Sequence, residues 1–331
     1  MKNRQWLLAH RPQGDIQDSD FEFVERDAPS PGEGEVLVRT LMLSCDPTQR
    51  GWIGGDTYLP AVKIGEVVRS LGAGRIEASR APGWEVGEIV SGLLGWQEHA
   101  ALPAKGLSKV PAQAPLELAM SALGMTGITA YFGLLDVGRP EAGQTVVVSG
   151  AAGATGSVVA QIAKIKGCRA IGIAGGAEKC RWLTEQAGLD GVIDYKTENV
   201  SARLKELCPD GIDVYFDNVG GPMLDMALAR LAMRGRIVLC GAIANYNATE
   251  PPPGPKNYMN LITKRGRMEG FIVLDYMSRA MEAVSALGAW VQEGRLKSQV
   301  DVQHGIENAP ATLRRLFEGR NEGKQLLRVA D

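Results

Sequence analysis

The seven residues Gly150-Ala151-Ala152-Gly153-Ala154-Thr155-Gly156 carry the clearest chemistry in the chain. They stand between an apolar run, TVVVS, and a small-residue run, SVVAQIAKIKG, where a strand gives way to a helix. Glycines there permit a sharp turn, let a pyrophosphate approach the backbone and allow tight helix–strand packing. Amides at the helix start then face the phosphate, and the helix dipole favours its charge. The pattern reads as a dinucleotide site. Tight turns also recruit glycine for purely structural reasons, so the repeated β–α units that follow matter as much as the turn. About 20 residues further on, an acid would bind a free ribose hydroxyl. Here the second strand ends Ile173-Ala174-Gly175-Gly176 with no Asp or Glu, and Lys179 follows with a charge suited to a 2′-phosphate. Glu178 beside it is the competing fact; the balance favours NADP(H).

The elements that must position this turn are legible in outline. The chain has 331 residues, 45% hydrophobic and 22% charged, which suits two soluble domains. Its 36 basic and 38 acidic residues leave a formal charge of -2, without the basic footprint of a nucleic-acid or anionic-membrane protein. The amino-terminal MKNRQWLLAHRPQGD has no signal-type apolar core. The longest mostly apolar stretch, Thr145 to Ile165, is interrupted by glycines and is not a membrane span. Five cysteines, Cys45, Cys168, Cys180, Cys208 and Cys240, are scattered singly, which suits a reduced, cytoplasmic setting.

From Trp6 to about Pro115, short apolar runs such as GEVLVRTLMLS and GEIVSGLLGW alternate with Gly and Pro, as in a compact antiparallel β barrel. LELAMSALGMTGITAYFGLLDVG has helical periodicity and predicts a crossover helix. From Gln144 onward strands and helices alternate, ending with a helix PMLDMALARLAM, a strand GRIVLCGAI and a later strand MEGFIVL. This implies a mostly parallel sheet covered on both faces. Between the last two strands, ANYNATEPPPGPKNYMN is a long loop of the kind that carries function. After Leu296 a strand, the helix ENAPATLRRLFEG and the run KQLLRVA are expected to rejoin the first domain. The expected boundaries are 1–120, 121–297 and 298–331.

The glycine turn, FDNVGG at Phe216 to Gly221 and CGAIANYN at Cys240 to Asn247 together resemble the medium-chain dehydrogenase/reductase superfamily. Within it the chain is most similar to the zinc-free prostaglandin reductase and alkenal/one oxidoreductase group. CDPTQRG, GMTGITAY and ENAPATLRRLFEGRNEGKQLL extend the likeness over nearly the whole chain. The resemblance implies an α/β fold in which a doubly wound Rossmann domain is inserted into a GroES-like, mostly-β barrel domain. It implies NADPH-dependent reduction of the carbon–carbon double bond of an enal or enone, in a homodimer. The implied cofactor contacts are Gly153, Ala154, Thr155 and Gly156, then Lys179, Tyr195 and Asn218. Cys240, Gly241, Ala242, Ile243 and Tyr246, then Phe271, Ile272, Val273 and Asn321, complete them. Tyr246 and Tyr58 are the implied donors to the carbonyl oxygen, with a packing role the alternative for Tyr58. Thr48, Gln49 and Thr263 depart from family patterns and replace large side chains expected near the substrate.

The wider superfamily includes zinc alcohol dehydrogenases, and a catalytic zinc needs about three protein ligands. His10, His99 and His304 have no ligand-like neighbours, and Gly65-Glu66 lacks the usual histidine, so no metal is expected. Cys240 ends an apolar strand and reads as a packed thiol. Met223, Met226 and Met233 read as core residues. The competing functions are a zinc-free quinone reductase and an NADPH-binding sensor without turnover.

Overall fold

The computed structural model describes residues 1–111 and 114–330. Two units emerge from the contacts, Met1–Met120 with Val300–Asp331 and Ser121–Gln299. The first unit opens with β1 (Lys2–Leu8) and β2 (Phe21–Asp27), an antiparallel pair in register from Lys2↔Asp27 to Leu8↔Phe21. β3 (Glu35–Ser44) is the central strand, and all its residues except Glu35 and Arg39 are buried. It pairs with β4 (Gly72–Ser79) on one side and β6 (His99–Pro103) on the other. β5 (Ile89–Gly92) pairs with β4, and β7 (Ser108–Lys109) with β5, all antiparallel. Leu8, Phe21, Val38, Ile76, Val90 and Trp96 belong to one core cluster between them. The helix α1 (Thr48–Gly54) leaves β3 through Asp46-Pro47 and buries Trp52 and Ile53 in that core.

The expected crossover helix is broken into α2 (Leu116–Ala119), α3 (Met125–Phe132) and a π-helical turn from Gly133 to Gly138. Gly127 lies so close to the Ala122 carbonyl oxygen that any Cβ would overlap it.

The second unit holds β8 (Thr145–Ser149), β9 (Arg169–Ala174), β10 (Gly191–Asp194), β11 (Ile212–Asp217), β12 (Leu231–Leu239) and β13 (Arg267–Gly270). Their spatial order is β10-β9-β8-β11-β12-β13, and every pairing is parallel. In chain order this is the doubly wound arrangement, with the direction of winding reversing between β8 and β11. Val146, Val147 and Val148 are fully buried, as strands covered on both faces require. α4 (Ala154–Ile165), α5 (Ala177–Glu185), α6 (Val200–Leu207) and α7 (Gly221–Ala229) link the first five strands. α8 (Asn260–Lys264) and α9 (Ala280–Gln292) follow later.

α7 stops four residues before Met233, and β12 takes over at Leu231. Leu231 pairs with Ile212 and sits in the core, while Arg234 takes a left-handed φ of 58° at a bulge. Met233 therefore lies on a strand and is 54% exposed, not a core residue. MEGFIVL is also shorter as a strand than its apolar pattern suggests. Only Arg267–Gly270 pairs with β12, and Phe271 to Val273 lead out of the sheet into a 3-10 turn.

The last segment supplies β14 (Val300–His304), α10 (Ala309–Phe317) and β15 (Lys324–Arg328) to the first unit. β15 pairs antiparallel with β3 and parallel with β14. The resulting seven-stranded sheet runs β14-β15-β3-β4-β5-β7, with β6 on β3. Among the described residues, no helix is long and apolar enough to cross a membrane.

Candidate active site

The residues implied as cofactor contacts in the second unit follow the carboxyl ends of its six parallel strands. That is the edge where open α/β sheets bind ligands, centred on the point where the winding reverses. After β8, Gly150 turns with a φ of +59° and Gly153 forms the extended N-cap of α4 without a capping side chain. The first-turn amides of Ala154, Thr155 and Gly156 are thereby left for a ligand. A Cβ on Gly156 would overlap the Gly150 carbonyl oxygen, so helix and turn touch only because Gly156 is glycine.

After β9, Gly175 lies under the ring of Tyr195. A Cβ there would stand 2.6 Å from the ring carbons. Tyr195 itself follows directly on β10 and is half exposed. Gly176, at φ 100°, caps α5, which carries Lys179 in its first turn. Its amide donates to Asp194 Oδ1 at 2.9 Å, and that bond foremost holds the Asp194 carboxyl below its usual range. The tip of β9 thus offers glycine backbone, an aromatic face and a lysine; β9 itself ends without an acid, the Asp194 carboxylate being turned onto the Gly176 amide and Glu178 lying in the first turn of α5.

Between β8 and β11 the floor is stitched by side chains. Ser149 Oγ donates to Asp217 Oδ1 at 2.9 Å and accepts from the Asn218 amide at 2.9 Å. Asn218 Nδ2 donates back to the Ser149 carbonyl at 2.7 Å. Asp217 Oδ1 also accepts from the amides of Val219 and Gly220, at 3.1 and 3.0 Å. Burial pushes the Asp217 carboxyl up in spite of these bonds. The segment after β12 hangs from the same floor, since the amides of Cys240 and Gly241 donate to the Asp217 carbonyl and that of Ile243 to Asn218. Tyr246 folds back over it, its hydroxyl accepting from the Ala242 amide at 3.2 Å. Phe271 sits with its ring edge-on to Phe216 and so close to Gly133 that a Cβ there would overlap it. Ile272 and Val273 follow it into the 3-10 turn. Burial raises the Cys240 thiol to about 12, so it is no thiolate nucleophile near neutral pH.

In the first unit, Tyr58 is 46% exposed and its hydroxyl meets Thr48 Oγ1 at 2.9 Å. Asn321 is buried and its amide donates to the Gly323 carbonyl at 2.8 Å. Two of the departures from family pattern, Gln49 and Thr263, occupy different settings. Gln49 is fully buried, accepting from the Asp46 amide at 2.8 Å and donating to the Arg69 carbonyl at 3.0 Å. It braces the segment instead of lining a cleft. Thr263 is exposed on α8, its hydroxyl turned onto the Asn260 carbonyl at 3.3 Å.

A buried network reaches the same segment. Lys324, 2% exposed, donates to Asp46 Oδ1 at 2.5 Å and to the Cys45 carbonyl at 3.1 Å, while Ser44 Oγ donates to Asp46 Oδ2. The motifs pointed to neither this network nor the Ser149–Asp217 latch. The only local trace of the latch is a polar residue closing each of two apolar strands.

Residues 4–110 match the family described as "N-terminal domain of oxidoreductase", and residues 154–290 the one described as "Zinc-binding dehydrogenase". The donor set does not suit zinc. Among the described residues, no three His, Cys, Asp or Glu side chains gather in a metal-holding group. The chain is 42% identical to the NADPH-dependent curcumin reductase of Escherichia coli (strain K12), over 99% of this chain and 97% of that one. It is 39% identical to the 2-alkenal reductase (NADP(+)-dependent) of Nicotiana tabacum, over 100% of this chain and 98% of that one. The crystal structure of CurA in complex with NADPH from Vibrio vulnificus superposes with a TM-score of 0.94 at 40% identity, covering 99% of both chains.

Proposed function

Because the chain belongs to the zinc-free prostaglandin reductase and alkenal reductase group of the medium-chain dehydrogenase/reductase superfamily, we propose that it reduces the carbon–carbon double bond of α,β-unsaturated aldehydes or ketones with NADPH. The observation that carries this reading is the β9 tip, where Gly175, the Tyr195 ring and Lys179 replace the acid of an NAD site. Full-length likeness to reductases named for curcumin and 2-alkenals supports the substrate class.

Bound NADPH supplies a hydride to the β-carbon. The amides of Ala154, Thr155 and Gly156 hold the pyrophosphate, and Lys179 and Tyr195 the 2′-phosphate. Asn218, Cys240 to Ile243, Tyr246, Phe271 to Val273 and Asn321 complete the cofactor's contacts. As charge develops on the substrate's carbonyl oxygen, the candidates for the protein's hydroxyl donor to it are Tyr246 of the second unit and Tyr58 of the first. An enolate is a strong enough base to take its proton from water or a hydroxyl, so the chain needs neither a strong acid nor a metal for this step. The protein works as a cytoplasmic homodimer that pairs through the free edge of β13, the last strand of its sheet.

The test follows NADPH oxidation with a linear enone, a 2-alkenal and a naphthoquinone, with NADH and a chelator as controls. Chelator-insensitive turnover of enone or alkenal to the saturated carbonyl is the expected result. Turnover of the quinone alone would transfer the protein to quinone reduction. Tight NADPH binding without any turnover would make it a sensor.

A further inference from the structure

Tyr58 does not stand alone on its loop. Thr48 and Trp52 lie four residues apart on α1 and so share one face of it. Both touch Tyr58: Thr48 Oγ1 meets its hydroxyl at 2.9 Å, and Trp52 meets its ring edge-on, with centroids 6.4 Å apart. The platform beneath is stiff. Asp46, just before α1, is held by buried Lys324 and by Ser44, and Gln49 ties α1 to the Arg69 carbonyl. Arg69 in turn donates to the Pro60 carbonyl at 2.7 Å and lies over the Trp52 ring at 5.8 Å. The loop around Tyr58 closes through the Ala61 amide, which donates to Asp56 Oδ1 at 2.8 Å.

We propose that Thr48 is a positioning residue that aims the Tyr58 proton at the substrate's carbonyl oxygen; this rests on the donor role given to Tyr58 above. In the pair, either hydroxyl can donate. When Thr48 donates to Tyr58, the tyrosine's own proton is turned outward, and accepting that bond makes the phenol a stronger donor to a third oxygen. A tyrosine on an exposed loop would otherwise donate to water in many directions. Thr48 stands where the family pattern has a larger side chain, and in this chain its hydroxyl on α1 lies within reach of Tyr58.

The experiment compares Thr48→Val, Thr48→Ser, Tyr58→Phe and the Thr48→Val/Tyr58→Phe double variant in steady-state reduction of one enone by NADPH. Thr48→Val keeps the shape and removes the hydroxyl, so kcat should fall about 3- to 10-fold, the value of one neutral hydrogen bond. KM for NADPH should hold, and Thr48→Ser should return kcat to within about two-fold of the parent. In the Tyr58→Phe background, Thr48→Val should cost nothing more, because its effect passes through the missing hydroxyl.

Undiminished kcat in Thr48→Val, with Tyr58→Phe impaired, would overturn the positioning role and leave the donor role standing. Equal losses in both backgrounds, or no rescue by serine, would make Thr48 a packing residue and overturn it too. Full activity in Tyr58→Phe would overturn the donor role itself, and Thr48's role with it. Wild-type protein inert toward every enone would remove the proposed function and this role together.

Discussion

Lys179 and Tyr246 divide the proposed chemistry between recognition and turnover. With Lys179 on the 2′-phosphate, Lys179→Ala should raise KM for NADPH about 10- to 100-fold, as loss of a charged hydrogen bond does, and leave KM for NADH unchanged. Initial rates with both coenzymes check this. Tyr246→Phe should lower turnover on an enone about 10- to 1000-fold if the hydroxyl serves the oxyanion, and unchanged turnover would exclude that role. Two thiols make a pH prediction. Burial pushes the Cys45 and Cys240 thiols up to about 12 in the folded chain, above the roughly 8.5 of an unfolded cysteine. Their contribution to stability is therefore complete below about pH 8.5 and is lost as pH rises from there toward the folded value. Urea unfolding at about pH 8 and about pH 10 should show a drop of about 1.4 kcal/mol per thiol per pH unit above 8.5. Cys45→Ala and Cys240→Ala should each flatten that slope.

Among the elements, the turn from β8 into α4 bears the sharpest constraint. A methyl at Gly156 would overlap the Gly150 carbonyl oxygen, a backbone atom that cannot rotate away. Gly156→Ala should therefore cost about 1 to 3 kcal/mol, as overpacking does, and weaken NADPH binding with it. Thermal unfolding together with a coenzyme titration reads both effects. The glycine spacing made this turn legible in the sequence, because each glycine meets a local steric demand. The break between α2 and α3 was not legible, since Met120 to Met125 keep a helical apolar spacing although no helix spans them. Nor was the early end of α7. Leu231 to Met233 suit a helix and a strand equally well, and pairing of Leu231 with Ile212 decides for the strand.

For the molecule as a whole, cofactor binding must appear as stability of the native state. NADPH at 100 times its Kd should add about 2.7 kcal/mol, which for a unit of this size raises Tm by about 5 to 10 °C. NADH at the same concentration should add much less. Equal shifts in scanning calorimetry would remove the case for Lys179 and the acid-free β9 tip. The alternation of strands and helices from Gln144 onward, the nucleotide turn and the missing acid were all readable from the sequence, because they depend on neighbours within about one element's length. Pairings across the chain were not. β15 finds β3 across some 280 positions, Lys324 neutralises Asp46 inside that pairing, and Ser149 reaches Asp217 across two parallel strands. Each partner is one polar residue among many of its kind, with nothing in its local pattern to single it out. The sequence alone determined the alternation of strands and helices from Gln144 onward and the chemistry of the β8 turn. Only the tertiary structure decided which distant polar groups meet, because that choice follows from burial and strand register set by the whole fold.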